Sequence, residues 1–157
     1  MSPVADNLLG ESRPVLEVTP EDPTLAATDA MDIAERLDLF SRGFERCIRC
    51  YACVKACPAC YCTTSFVERA KPQWVPRSVG LDENRMFHVG RAMHLSGRCV
   101  DCGACERACP LGVRLGLLNK RLEREVRERF GYTAGLSMEA TPALATYSEE
   151  DKQEFIL

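Results

Sequence analysis

The sequence predicts a mainly α-helical domain that lies between two extended arms. Apolar residues recur at helical spacing in the middle of the chain, whereas no segment shows the apolar–polar alternation that is typical of a half-buried strand. Both ends lack a sustained period. A length of 157 residues suits one domain with tails. We therefore expect an N-terminal arm over 1–27, a helical domain over 28–130 and a C-terminal arm over 131–157.

Proline, acidic and capping residues indicate the two arms and the start of the first helix. Four prolines and scattered acidic residues over 1–27 predict an extended segment. Thr28 is the expected N-cap of the first helix. The apolar positions of that helix are Met31, Ile33, Ala34, Leu37 and Phe40. Over 131–157 the periodicity is low, and Ser148 with Asp151 predicts only a short helix.

Two longer helices are predicted in the second half of the domain. Asp82 is the expected N-cap of a helix that continues to about Leu95 and ends at Gly97. After Pro110, apolar residues recur at spacings of three and four with charges between them, which predicts an amphipathic helix that ends at Gly131. Its apolar positions are Leu111, Leu115, Leu118, Leu122 and Val126.

The charged residues are unevenly distributed along the chain. The net charge is −7 over 1–38, +8 over 39–130 and −4 over 131–157. A basic centre is typical of nucleic-acid-binding proteins, but it can also balance anionic cofactors inside a protein. No apolar run is long enough for a transmembrane helix, and the N-terminus does not resemble a secretory signal. With ten cysteines, we therefore expect a cytoplasmic chain that binds metal rather than one held by disulfides.

The cysteines lie in two nearly identical segments that are offset by 52 residues. The first cysteine segment, residues 46–58, reads RCIRCYACVKACP, and the second, residues 98–110, reads RCVDCGACERACP. Both have the spacing C-x2-C-x2-C-x3-C-P, which is typical of [4Fe–4S] ligands. Three cysteines of such a segment bind one cluster, and the fourth binds the other cluster in two-cluster ferredoxins.

This spacing predicts two [4Fe–4S] clusters with crossed ligands. The expected ligands of cluster 1 are Cys47, Cys50, Cys53 and Cys109. The expected ligands of cluster 2 are Cys99, Cys102, Cys105 and Cys57. Each oxidised cluster with four thiolates adds a charge of about −2, which the basic centre would offset. The arginines nearest to the ligands in the sequence are Arg46, Arg49, Arg98 and Arg107.

Other interpretations of the cysteines and histidines fit less well. Zinc sites usually pair cysteines as two separated C-x2-4-C units, and triplets with a fourth cysteine and proline match that poorly. Cys60 and Cys62 lie outside the two motifs. They are either small buried side chains or extra ligands. An extra ligand would serve as an alternative ligand within this chain or would complete a site on a partner subunit. His88 and His94 are expected to be ordinary hydrogen-bonded histidines.

The duplicated motif in a helical setting resembles the iron–sulfur subunits that have the α-helical ferredoxin fold. Similar proteins are the small iron–sulfur subunit of heterodisulfide reductase and the iron–sulfur subunits of hydrogenase, formate dehydrogenase and flavoprotein oxidoreductase complexes. The resemblance covers about residues 30–130. Between Cys57 and Cys99 lie 41 residues, more than in compact bacterial ferredoxins. Unlike succinate dehydrogenase-type subunits, both segments keep every cysteine, which implies two cubane clusters.

The resemblance implies a non-catalytic electron-transfer subunit of a hetero-oligomeric oxidoreductase. We expect it to relay single electrons between a flavin-containing subunit and another redox subunit, with the acidic arms wrapped around neighbouring subunits. The chain has no glycine-rich nucleotide fingerprint and no nucleophile–base set, so we expect neither a catalytic residue nor a small-molecule substrate of its own. One alternative is a nucleic-acid-binding protein with structural clusters, although aromatic residues are few and both ends are acidic. Another is a carrier for cluster assembly, which only Cys60 and Cys62 favour.

Overall fold

The computed structural model describes residues 22–143, and this range contains helices and turns but no strand. The α-helices are α1 (Pro23–Asp29), α2 (Ile33–Glu45), α3 (Ala52–Lys55), α4 (Leu81–Leu95), α5 (Ala104–Arg107) and α6 (Leu115–Phe130). A single 3₁₀ turn, Phe66–Glu68, lies between α3 and α4. The predicted mainly helical fold is therefore confirmed for this part of the chain. None of its helices combines the length and the apolar character that crossing a membrane requires.

The extended arm predicted over 1–27 is wrong at its C-terminal end, because α1 begins at Pro23. The Asp22 side chain accepts a hydrogen bond from the Thr24 backbone N–H at 2.8 Å and so caps the helix. Proline suits the first helical position, where its missing N–H leaves no hydrogen bond unmade. Asp22 also pairs with Lys120 of α6, against which α1 packs. The contact with the distant helix α6 thus stabilises a helical conformation in a segment that the sequence pattern predicts to be extended.

The first long helix, α2, has a different cap from the predicted one. Thr28 lies inside α1, where its hydroxyl donates to the Thr24 carbonyl at 2.8 Å. The N-cap of α2 is Asp32, whose carboxylate accepts from the Glu35 N–H, while the Glu35 carboxylate accepts from the Asp32 N–H. This reciprocal pair is a capping box. The spacing of Asp32 and Glu35 that is typical of a capping box was present in the sequence. The break between α1 and α2 was missed because apolar residues recur at helical spacing on both sides of it.

The ends of α4 and α6 agree more closely with the sequence. The N-cap of α4 is Gly80, so the predicted cap Asp82 lies within the first turn instead. The helix ends at Leu95 and is followed by Gly97 in the left-handed region, as predicted. Helix α6 begins after the predicted Leu111 and is closed by Gly131 at a φ of 61°.

The remaining predicted features of the arms lie mostly outside the described residues. This applies to residues 1–21 and 144–157, and therefore to the short helix predicted at Ser148 and Asp151. Residues 131–143 contain no α-helix. The domain boundaries stay a prediction.

The core lies where α4 packs against both α2 and α6, next to the paired short helices α3 and α5. Phe87 of α4 is completely buried, and the Tyr51 ring meets it edge-on at 5.6 Å between centroids. Asn84, one turn earlier, is only 1% exposed. Its amide donates to the carbonyls of Phe44 and Cys47, each at 2.8 Å. One buried amide therefore fixes the path of the chain from α2 into the first cysteine segment.

Candidate metal centre

The two cysteine segments have the same backbone conformation. Helices α3 and α5 are offset by the same 52 residues as the motifs, and they pack against each other. The residue before each helix is left-handed, with φ of 61° at Tyr51 and 68° at Gly103. Two residues earlier, Arg49 and Asp101 both have a φ of 50°. The sequence repeat is therefore also a structural repeat.

Left-handed residues lie next to backbone N–H groups that point towards the sulfur atoms. The N–H of Arg49, itself left-handed, donates to Cys47 Sγ at 3.3 Å, and the N–H of Val113, which follows the left-handed Gly112, donates to Cys109 Sγ at 3.4 Å. Successive N–H groups around such turns form the concave anion sites found at many iron–sulfur centres. Left-handed conformations are unfavourable for residues such as Arg49 and Tyr51, so the surrounding structure must impose them. The loops therefore suit a sulfur-rich, anionic group.

One cavity contains the complete ligand set predicted for cluster 2. Its lining includes Cys99, Cys102 and Cys105 of the second segment together with Cys57 of the first. The same cavity is lined by Asn119 of α6, whose amide lies 3.9 Å from Cys105 Sγ. The structure thus brings the fourth cysteine of one segment to the three leading cysteines of the other.

Cys109 lies near leading cysteines of the first segment. Burial raises the pKa of the Cys47 thiol, and the neighbouring Cys109 and Cys50 raise it further. Burial raises the pKa of Cys53 to about 11, and the thiols of Cys47, Cys105 and Cys109 add to this rise. Cys53 therefore has thiols of both cysteine segments around it.

The thiols of the metal-free chain are protonated where they are buried. Burial raises the pKa of Cys99 to about 11, as it does for Cys53. Only thiolates bind metal, so iron binding must release these protons. By contrast, Cys50 and Cys102 are exposed at the surface. The metal centre therefore has a buried side within the protein and an accessible side at these two residues.

The cysteine pattern along the chain fits zinc less well than iron–sulfur clusters. Within residues 22–143, no three cysteine, histidine, aspartate or glutamate side chains are close enough to share one metal ion. The four thiolates of a cubane bind four different irons rather than one shared ion. The donor set, thiols in the sequence spacing C-x2-C-x2-C-x3-C-P, fits two [4Fe–4S] clusters.

The two leftover cysteines lie on the other side of Cys57. Cys60 is half-buried, its backbone N–H donates to the Cys57 carbonyl at 3.1 Å, and burial raises the pKa of its thiol. Cys62 is exposed. Both line a separate cavity that includes His94, and neither lines the cavity shared by the predicted ligands of cluster 2. The structure therefore places Cys60 next to a predicted ligand rather than among the predicted ligands.

The predicted arginines have several different environments. The Arg49 guanidinium is buried and donates to the carbonyls of Pro76 and Ser78. Arg98 lies over the ring of Tyr61, 5.4 Å from its centroid. The remaining two are Arg46, which donates to the Gly112 carbonyl, and Arg107, which flanks Gly103. A fifth arginine, Arg91 of α4, is only 4% exposed and was missed by the sequence analysis.

Residues 43–113, which include both cysteine segments, match the 4Fe-4S dicluster domain family. This match supports the binding of two [4Fe–4S] clusters. It is 30% identical over 107 residues to the F420-dependent formate dehydrogenase subunit beta of Methanocaldococcus jannaschii. It is also 30% identical over 113 residues to the F420-dependent formate dehydrogenase 1 subunit beta of Methanococcus maripaludis.

These matches cover 68% and 69% of this chain but only 27% of each relative. The chain therefore spans about a quarter of the length of these relatives. The iron–sulfur character and the cofactors predicted from the sequence are confirmed by the comparisons. The ligand assignment, the flavin partner and the cytoplasmic location stay predictions.

A buried histidine next to the site predicts a pH dependence of stability. His88 is 2% exposed, stacks on Phe44 at 4.7 Å between ring centroids, and has no hydrogen-bond partner for either ring nitrogen within residues 22–143. Burial lowers the pKa of His88 to about 4, and the charge of Arg91 adds to this effect. The expectation of an ordinary hydrogen-bonded histidine is therefore wrong for His88.

We expect this histidine to destabilise the protein as the pH falls from 6.5 to about 4. In that window the unfolded chain binds a proton at His88 and the folded chain does not, so protonation favours unfolding. The loss reaches about 3 kcal/mol at the acidic end. Denaturant unfolding at several pH values should show a flatter profile for His88→Phe than for the wild type. The exposed His94→Phe variant is the control, and an unchanged profile for His88→Phe would refute the assignment.

Proposed function

We propose that this protein relays single electrons between a flavin-containing subunit and a second redox subunit of an oxidoreductase complex. The observation that carries the proposal is the cavity shared by Cys57 with Cys99, Cys102 and Cys105. When each cysteine segment supplies ligands to both clusters, the clusters must lie close together. Each [4Fe–4S] cluster gains and loses one electron. Two close clusters form a short path for electrons through the protein.

The ligand sets that we propose are those with crossed fourth cysteines. Cluster 1 is held by Cys47, Cys50, Cys53 and Cys109, and cluster 2 by Cys99, Cys102, Cys105 and Cys57. The packing of α3 against α5 supports the exchange, because each of these helices leads to the cysteine that would bind the other cluster. With four thiolates on each cluster, no iron is left open for a substrate. This supports electron transfer rather than catalysis at the clusters.

Two repeat-related apolar side chains indicate where partners would dock. Ile48 and Val100 occupy the same position in the two motifs, between the first and second cysteine. Their exposed fractions are 61% and 53%, although both are apolar. The adjacent Cys50 and Cys102 are also exposed. An apolar contact next to each cluster would exclude water and bring a partner's redox group close, so the protein has two candidate ends for electron entry and exit.

The relatives support a complex of this kind. Both are named as beta subunits of F420-dependent formate dehydrogenases. We propose that this chain likewise works within a hetero-oligomer whose other subunits bind the flavin and the substrate. We further propose that the acidic segments at both ends of the chain bind neighbouring subunits, and that the complex is cytoplasmic.

The proposal is tested by measuring which partner proteins stay bound when either of the two apolar side chains is replaced. The tagged protein, coexpressed anaerobically with the products of neighbouring genes, should retain a flavoprotein and a second redox protein. Ile48→Glu should weaken the binding of one partner at least tenfold, and Val100→Glu the other, because a charge must be desolvated at the contact. The iron content should not change in either variant. Capture of no flavoprotein by the wild type would refute the proposal.

The matched control for this experiment is Met138→Glu, since Met138 is apolar and 85% exposed but lies outside both cysteine segments. It should retain both partners. If Ile48→Glu and Val100→Glu release the same partner, the two motifs do not form opposite ends of one path.

A further inference from the structure

Arg91 of α4 connects the two halves of the dicluster site. Its guanidinium donates to the carbonyl of Cys53 at 2.9 Å, and Cys53 is a proposed ligand of cluster 1. The same Nη2 atom lies 3.8 Å from Cys60 Sγ. The Cys60 backbone N–H in turn donates to the carbonyl of Cys57, a proposed ligand of cluster 2, at 3.1 Å. One side chain therefore reaches the first cluster's ligand directly and the second cluster's ligand through one residue, Cys60.

Among the residues that the structure describes, no carboxylate balances the positive charge of Arg91. The residue is 4% exposed, and within residues 22–143 no aspartate or glutamate forms an ion pair with it. Its Nε atom is buried without a hydrogen-bond partner among the described residues. Burial lowers the pKa of the guanidinium, but the thiols of Cys53, Cys60, Cys57 and Cys105 together more than offset this. The groups that balance the charge are thus cysteines of both proposed ligand sets.

A buried cation is costly unless a negative charge compensates it. The anionic clusters and their thiolates supply that compensation when the protein holds iron. A second buried arginine near the site does not contact the proposed ligands through its guanidinium. Arg49, which is equally buried, is bound to the carbonyls of Pro76 and Ser78 instead.

We propose that Arg91 is a positioning residue that raises the reduction potentials of both [4Fe–4S] clusters together. This inference rests on the proposed function and adds the residue that sets its driving force. Reduction adds a negative charge to a cluster, and a fixed positive charge close to both clusters favours the reduced state of each. Because the charge is buried, solvent screens it little. Arg91 would thus shift both potentials in the same direction, so that the energy of the electron step between the clusters changes little.

The test is an anaerobic redox titration of the full-length, iron-loaded protein followed by EPR. In Arg91→Gln, which keeps a donor for the Cys53 carbonyl but removes the charge, both potentials should become more negative. We expect the equilibrium constant for reduction of each cluster to fall about tenfold, which is about 59 mV for a one-electron couple. Arg91→Lys keeps the charge, so both potentials should stay close to their wild-type values. Arg85→Gln, which removes a cation on the same helix that pairs with Asp82, should leave both potentials unchanged.

A shift in neither cluster, or in only one, would overturn the proposal. If Arg91→Gln does not retain iron, the comparison with Arg91→Lys decides. Full iron content in Arg91→Lys, together with loss of iron in Arg91→Gln, supports a role for the charge. Loss of iron in both variants shows that the guanidinium is structural. The wild-type titration separates this inference from the proposed function. The proposed function requires two reducible clusters in the wild type, whereas the inference about Arg91 concerns how the potentials change in the variants.

Discussion

Removing Cys57 and Cys99 together is expected to leave about four irons per chain, the same content as removing either one alone. The crossed assignment places both cysteines on cluster 2, so the second substitution has no cluster left to destroy. Removing Cys57 together with Cys47 should instead leave almost no iron, because these cysteines belong to different clusters. Alanine variants are preferred over serine, since a serine hydroxyl can bind iron weakly. Iron and sulfide analysis of anaerobically purified protein, with EPR after reduction, gives the counts.

The uncrossed alternative predicts the opposite pattern. If the first segment held one cluster with its own four cysteines, the pair Cys57 and Cys47 would leave about four irons. The pair Cys57 and Cys99 would then leave almost none. The exposed Cys62→Ala is the control, and it should keep the wild-type content of about eight irons. An eight-iron double variant of either kind would refute both assignments.

Replacing Asn84 by leucine is expected to destabilise the fold by about 2–4 kcal/mol. The Asn84 amide donates to two buried carbonyls, those of Phe44 and Cys47, and leucine would leave both unsatisfied. Part of the cost is offset, because Asn84 Oδ1 itself has no partner among the described residues. The Cys47 carbonyl belongs to a proposed ligand of cluster 1. That cluster should therefore be lost before cluster 2 as denaturant increases.

The measurement is anaerobic denaturation followed by circular dichroism and by the absorbance of the clusters. Where cluster loss makes the transition irreversible, the rate of bleaching replaces the midpoint. Met93→Leu is the matched control, since Met93 lies on the same helix and is 55% exposed. If Asn84→Leu unfolds like this control, the two hydrogen bonds do not hold the first cysteine segment in place.

Helix α4 shows why some of the site could not be predicted. The three polar residues Asn84, His88 and Arg91 lie on its buried face, in phase with Phe87 and Leu95. A pattern of apolar spacing assigns polar residues to the surface, because burying them without partners is costly. Asn84 and Arg91 have backbone carbonyls and a thiol of distant segments as partners, whereas His88 packs on the rings of Phe44 and Phe87. The in-phase spacing was a signal that these residues were buried, but it could not show what they contact.

The sequence by itself determined the cofactors and the helical fold. These features depend on short-range chemistry, namely the spacing of thiols and glycines that end helices, such as Gly131. The tertiary structure alone decided that α1 is helical, that Asn84 anchors the first cysteine segment and that Arg91 lies between the two ligand sets. Each of these depends on a partner from a different element, and the energy of such a contact exists only once the chain has brought the two together.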